Sequence, residues 1–263
     1  MQRVSLEKAT SNKKLLPPNL QTNCQLTENL NSIQQRIRAA CERAGRAPDS
    51  VTLLAVSKTH PPETIRAAAD CGQVLFGENK IQEAKAKIPL CPGKCRWHFI
   101  GHLQSNKVRD AVELFQMIQS VDSLELAREI NKRCEQAARK MPVLLEVNVA
   151  GEASKFGYPP EKLLAELQEL NALPRIEIHG LMTVPPFVTD PEKARPHFRR
   201  LRELKERAEA VLGAPLPQLS MGMSGDFEVA IEEGATLVRI GTALFGARRK
   251  SADRKAMEPG FEN

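Results

Sequence analysis

The chain has 263 residues, 41% of them hydrophobic, with one Trp, one Tyr and nine Phe. That length suits one α/β barrel or two smaller domains, with a core built mainly from aliphatic side chains and alanine. The net charge of +6 fits an anionic small-molecule ligand, and the interspersed acidic residues argue against a nucleic-acid-binding surface.

Residues 1–25 are polar, carry Lys13-Lys14 and Pro17-Pro18, and lack apolar periodicity; they read as a flexible tail. Leu26, Leu30, Ile33, Ile37, Cys41 and Ala44 then recur at spacings of three and four. The spacing predicts a helix with Thr27 as N-cap and Gly45 as stop. Because it precedes the first strand, this helix must pack beside the main fold or cover one end of it.

Residues 51–56 form a short apolar strand that runs into Ser57-Lys58-Thr59-His60-Pro61. Side chains alternate on a strand, so Leu54, Val56 and Lys58 share a face. If Leu54 and Val56 enter a core, Lys58 is carried to its rim. A lysine partly desolvated there has a lowered pKa, and a neutral amine condenses with an aldehyde. The alternative is a solvated lysine at a strand end.

From there strand and helix alternate. A helix is predicted over 62–71, a strand over 74–76, a helix over 80–88, a strand over 97–100 and a helix ending near 114. Next come a strand over 117–121, a helix over 124–139, a strand over 143–149 and a helix from Pro159-Pro160 to about 173. A strand over 176–181, a helix over 191–212, a strand over 218–221 and a helix over 227–233 follow. The last pair is a strand over 237–240 and a helix from Gly241-Thr242 to about 250. Eight βα units predict one closed (β/α)8 TIM barrel over residues 26–250, with the N-terminal helix as an addition and 251–263 as a second flexible tail. An open doubly wound sheet would carry a glycine-rich turn after its first strand; residues 57–61 contain no glycine.

The densest basic run, Arg195-Pro196-His197-Phe198-Arg199-Arg200-Leu201-Arg202, reads as the solvated face of a helix. The six cysteines read as small apolar residues. Cys91 and Cys95 have no second pair at ligand spacing, so no metal site is expected. With no signal-peptide segment and no membrane-spanning run, the cytoplasm is the expected compartment.

Barrel active sites lie at the C-terminal ends of the strands. Here those ends carry Lys58, Asn79, His102, Asn148, Ser154-Lys155, Ser224 and Thr242. Singly, Asn79 and Ser224 also read as helix caps and His102 as a surface histidine; together they ring one face. Gly222-Met223-Ser224-Gly225 follows strand seven and Gly241-Thr242 follows strand eight. Small residues at a helix start let backbone N–H groups approach an anion, and barrels commonly hold phosphate at these two loops. Arg239 shares a face with Leu237 and Gly241, so it points into the barrel mouth, toward an internal carboxylate such as Glu146 or a ring nitrogen of a ligand. A lysine for an aldehyde, a phosphate cradle and an inward arginine together describe pyridoxal 5′-phosphate (PLP).

The motifs Leu54-Ala55-Val56-Ser57-Lys58, Phe76-Gly77-Glu78-Asn79, Trp97-His98-Phe99-Ile100-Gly101-His102-Leu103-Gln104-Ser105-Asn106-Lys107, Ser220-Met221-Gly222-Met223-Ser224-Gly225-Asp226 and Val238-Arg239-Ile240-Gly241-Thr242 resemble those of the YggS/PROSC family of PLP homeostasis proteins. The resemblance runs from about Leu26 to Arg248. It implies the fold-type III PLP architecture, a barrel like the N-terminal domain of alanine racemase. It implies Lys58 as the Schiff-base lysine, Ser224, Gly225, Gly241 and Thr242 at the phosphate, and Arg239 at the pyridine nitrogen. Asn79 and His102 would sit near the cofactor, with Met221 beside its ring. The implied role is PLP (vitamin B6) homeostasis without established turnover, with apo PLP-dependent enzymes as candidate recipients; one barrel with no swapped domain favours a monomer. The alternative is a fold-type III PLP enzyme such as an amino-acid racemase. Against it, an arginine at the ring nitrogen only donates hydrogen bonds, so it weakens the electron sink. The only tyrosine, Tyr158, does not match the position of the racemases' second acid/base.

Overall fold

In the computed structural model, which describes residues 18–152 and 155–246, apolar alternation along each strand builds two cores. The strands are β1 Thr52–Val56, β2 Leu75–Glu78, β3 Arg96–Phe99, β4 Met117–Val121, β5 Met141–Glu146, β6 Ile176–Met182, β7 Gln218–Ser220 and β8 Leu237–Ile240. They pair in parallel in chain order, and β8 closes on β1 with Leu54 opposite Arg239. Outward residues such as Ala55, Phe76, Phe99, Ile118, Leu145 and Val238 join one large cluster with the surrounding helices. Inward residues fill the lumen in two patches. One is Leu54, Val56, Leu75 and Leu237 with Ile100, and the other is Met117, Leu144 and Met182. The lumen is full: a Cβ on Gly77 would lie 2.4 Å from Leu54 Cδ2.

The helices are α1 Pro18–Arg43, α2 Pro62–Asp70, α3 Ile81–Lys87, α4 Val108–Leu114, α5 Leu124–Gln136, α6 Pro160–Asn171, α7 Arg195–Leu212, α8 Phe227–Glu232 and α9 Thr242–Phe245. Each of α2 to α9 follows its strand, as the alternation requires. The expected barrel is therefore the one observed.

Two boundaries differ from expectation. Helix α1 starts at Pro18, not near Thr27. Proline suits a first helical turn, and Thr27 is interior, its hydroxyl donating to the Asn23 carbonyl one turn back at 2.9 Å. The expected 1–25 tail thus overlaps a helix from 18 onward; residues 1–17 and the second tail, 251–263, lie outside the described residues. Helix α9 ends at Phe245, with Gly246 at φ +83° after it; residues 247–250 again lie outside the described range.

The brevity of α9 explains where α1 goes. A four-residue helix leaves the outer wall thin where β8 meets β1. Helix α1 packs there against α8, α9 and α2, burying Leu26, Leu30, Ile33, Ile37 and Cys41. Asn29 Nδ2 donates to the Leu244 carbonyl at 2.9 Å. The added helix takes the eighth place in the ring of helices.

The basic run is not a free solvated face. Phe198, Leu201 and Leu204 of α7 are buried. Arg195 meets Glu232 at 2.7 Å, and both Arg195 and Arg199 meet Glu233 at 3.2 Å. From the other side Arg36 and Arg43 of α1 meet Glu228 and Glu232 at 2.6 and 2.8 Å. Arginines of α1 and α7 thus converge on the acidic end of α8.

Candidate functional site

The strand register brings the expected residues to one rim. Beyond the Leu54–Arg239 pair, Val56 lies against Gly241, where an added Cβ would be 3.4 Å from Val56 Cβ. Lys58 follows two residues past β1, on the rim that also carries Gly241 and Thr242. On its other side Val56 pairs with Gly77 and the Ser57 N–H donates to the Gly77 carbonyl at 3.1 Å, so Asn79 follows on the same rim. Lys58 and Asn79 are each half-buried. Gly101 passes so close over Asn79 that a Cβ would lie 2.3 Å from its carbonyl oxygen, so the β2 and β3 rims interlock.

Loop 222–226 and the start of α9 are joined directly. The Ala243 N–H donates to Ser224 Oγ at 3.3 Å. Asp226 accepts from the Met223 N–H at 2.6 Å and holds the loop in shape. Gly222, at φ +90°, sits where a Cβ would be 2.6 Å from Ala230 Cβ, so the loop is pressed onto α8. Gly225 and Thr242 are exposed and Ser224 half-buried. Ser224, Gly225, Gly241 and Thr242 thus lie on two loops in direct contact, and hydroxyl and glycine residues of this kind suit phosphate oxygens. Met221 is fully buried in the helix-facing cluster and forms an apolar floor behind this loop.

Arg239 is buried in the lumen below Gly241. Its guanidinium bonds to the barrel wall and not to Glu146: Nη1 donates to Ser220 Oγ at 2.6 Å and Nη2 to the Thr183 carbonyl at 2.7 Å. Ser220 Oγ donates to Gln119 Oε1 at 2.7 Å, and Gln119 Nε2 lies 2.9 Å from His98 Nδ1. Burial, then the nearby Arg96 charge, pushes His98 down to about 4. Its ring is neutral at pH 7, so Nδ1 accepts from Gln119. Every donor in the chain Arg239, Ser220, Gln119, His98 points the same way. Burial also lowers Arg239 to about 10, against the pull of Glu146 and Asp226; it stays cationic at neutral pH.

The far rim is acidic. Burial, with the Asp122 charge beside it, pushes Glu146 up to about 7 despite Arg239. His102 Nδ1 lies 3.3 Å from Asp122 Oδ2, and its ring stacks on Phe156 at 3.7 Å. His102 is thus oriented by the β4 and β5 side of the mouth. Asn148 is taken up locally, its Nδ2 donating to the Glu152 carbonyl at 2.8 Å. Ser154 lies outside the described residues. Tyr158 is fully buried, and burial raises its phenol far above the ordinary value.

A family model for the alanine racemase N-terminal domain matches residues 29–249. The pyridoxal phosphate homeostasis protein of Aquifex aeolicus is 48% identical over 223 residues, covering 84% of this chain and 98% of that one. This chain belongs to the pyridoxal phosphate homeostasis protein family. Within the family, PipY of Synechococcus elongatus PCC7942, whose structure has PLP bound, superposes with a TM-score of 0.74 at 38% identity, covering 84% of this chain and all of that one. Alanine racemase of Clostridium difficile shares the fold, with a TM-score of 0.69 at 16% identity over 86% of this chain and 58% of the racemase. Family membership and a racemase-type barrel agree with the motifs read from the sequence. Sequence reasoning missed Ser220, Gln119, Thr183 and His98. The signal for the first two was present, as polar residues at inward positions of β7 and β4.

Proposed function

We propose that the protein binds pyridoxal 5′-phosphate in the barrel mouth and serves intracellular PLP homeostasis, holding and releasing the cofactor rather than turning over substrates. The observation that supports this reading is the β1–β8 register, with Leu54 opposite Arg239 and Val56 against Gly241, from which the chain runs on into Lys58 at the same rim. Bound there, the cofactor brings an aldehyde that condenses reversibly with a primary amine. Lys58 supplies that amine. Ser224, Gly225, Gly241 and Thr242 hold the phosphate, with Met221 as the floor behind them. Arg239, fixed by Ser220 and Thr183, donates toward the ring nitrogen and leaves it unprotonated. Asn79 and His102 border the ring. PipY, a relative with PLP bound, supports the choice of cofactor.

Two features favour a carrier over a racemase. Arg239 donates and cannot accept, and the only tyrosine is sealed in the core. Against this, Glu146 titrates near neutrality on the rim, as a second acid/base would have to. In the carrier reading the protein works as a cytoplasmic monomer and passes its cofactor to apo PLP-dependent enzymes. Its six free thiols, three of them buried, suit a reducing compartment.

The test is spectroscopic and chemical. Protein mixed with PLP should gain a visible absorption band; borohydride reduction and peptide mass mapping should place the adduct on Lys58. Lys58→Ala should lose both. An adduct mainly on Lys80 or Lys107 would overturn the assignment. Holo-protein should then reactivate an apo PLP enzyme faster than its own spontaneous leakage allows.

A further inference from the structure

The motif Phe76-Gly77-Glu78-Asn79 contributes Asn79 to the rim, but its glutamate points the other way. Glu78 is fully buried outside the lumen, behind the loop that carries Lys58, and it meets Lys87 of α3, also buried. A charge-bearing side chain is seldom so enclosed unless paired. Lys87 Nζ has three protons and three acceptors: Glu78 Oε1 at 2.7 Å, Glu83 Oε1 at 2.7 Å and the Ser57 carbonyl at 2.9 Å. Ser57 Oγ donates to Glu78 Oε1 at 2.6 Å. On the far side of Lys58, the Thr59 N–H donates to Glu83 Oε1 at 2.5 Å. Thr59 itself stands at φ +70°, a left-handed conformation costly for a β-branched residue and kept only where its surroundings impose it.

We propose that Lys87 and Glu83 are positioning residues for Lys58: they clamp the peptide carbonyl before it and the peptide N–H after it, and so set how firmly the cofactor is held through its covalent link. The single ammonium of Lys87 governs both ends of the clamp. It holds the Ser57 carbonyl directly, and it orients the Glu83 carboxylate that holds Thr59. Packing α3 against the sheet needs no such arrangement, because an apolar pair would fill the space without desolvating charges. What the ion cluster adds is a fixed, left-handed exit from Lys58 through Thr59.

The inference rests on Lys58 as the amine that takes the cofactor, and the experiment separates the two. Glu83→Ala removes the Thr59 acceptor and leaves the Lys87–Glu78 pair in place. In cofactor-free protein, the rate at which limiting acetic anhydride acetylates Lys58, read by peptide mass against Lys80, should change several-fold in Glu83→Ala. Glu83→Gln, which keeps an acceptor oxygen, should restore it. With PLP, release from Glu83→Ala should be faster by about tenfold, the loss of one charge-assisted hydrogen bond. In a Lys58→Ala background the same change should alter PLP affinity by less than about twofold, because the clamp acts only through Lys58. An equal loss of affinity in that background, or unchanged acetylation of Lys58, would reduce the cluster to general support of the fold. Wild-type protein that takes up no PLP would sink the functional reading, while the acetylation comparison would still decide the clamp. Should Glu83→Ala fail to fold by circular dichroism, Glu83→Asp, which withdraws the oxygen by one methylene, carries the same comparison.

Discussion

Among single residues, Glu146 has the most to report about the mouth. Its carboxyl, pushed up to about 7, binds a proton more tightly folded than unfolded. Its contribution to stability is therefore fully present below the ordinary carboxylate range and is lost as pH rises from about 4.5 through 7, a decline of up to about 3 kcal/mol. Glu146→Gln should remove that decline from thermal unfolding of the cofactor-free protein measured across this range; a slope that persists would move the titrating group elsewhere. Arg239 behaves differently. Its charge survives burial because Ser220, Gln119 and His98 relay hydrogen bonds away from it, each polarising the next. Protonating His98 at Nδ1 would set two donors face to face, so the neutral ring that burial and the Arg96 charge maintain is the form the relay requires. In the sequence, strand alternation gave Arg239 its direction and Glu146 an inward place, and Ser220 and Gln119 showed as polar inward positions; that they bond to Arg239 and to each other was not legible. The partners come from β6 and β7, and no local pattern records which lumen residues meet across a closed barrel.

At the scale of elements, loop 222–226 and α9 form one unit, tied through Ser224 and Ala243. Ser224→Ala combined with Thr242→Ala should leave the barrel folded and weaken PLP retention on dialysis by roughly two to four powers of ten, each lost hydrogen bond to a charged group costing about 1.5–3 kcal/mol. Unchanged retention would put the phosphate elsewhere. The strands and helices that build this unit were readable from period and punctuation: Gly222, Gly241 and the alternation of Leu237 with Arg239 fall where the structure needs them. The ends of helices were less so. Thr27 has the chemistry of an N-cap, yet satisfies its hydroxyl within the helix, and the arginines of α7 look solvated until α8 is placed beside them. That placement has its own consequence in acid. Glu232 and Glu233 are held below their ordinary pKa, Glu232 first by its hydrogen bond to Arg195, and Glu233 by its arginine partners against the cost of burial. Their contribution is present above about pH 4.5 and is lost as pH falls through their lowered values. The doubly substituted Glu232→Gln, Glu233→Gln protein should start less stable at pH 6 and lose less on going to pH 3, as read by thermal midpoints; parallel curves for the two proteins would contradict this.

For the whole molecule, the question is whether the mouth supports turnover. PLP-loaded protein given L- and D-amino acids separately should show no racemisation or decarboxylation at ordinary enzyme rates, on the order of 1 per second or faster. Such rates would favour the enzymatic reading and cast Glu146 as the second acid/base. The eighth place in the outer wall, taken by α1, also bears on how the site comes into being. Helix α1 is made first, yet its partner Glu228 lies 192 residues later and its partner Leu244 lies 215 residues later. At 5–20 residues per second, its apolar stripe waits roughly ten to forty seconds on the ribosome before the last two units emerge to cover it. The same final event pairs β8 with β1 and brings Arg239, Gly241 and Thr242 up to Lys58. No nascent chain short of β8 has a closed mouth, so the rim that would take up the cofactor is completed in one step, together with closure of the wall.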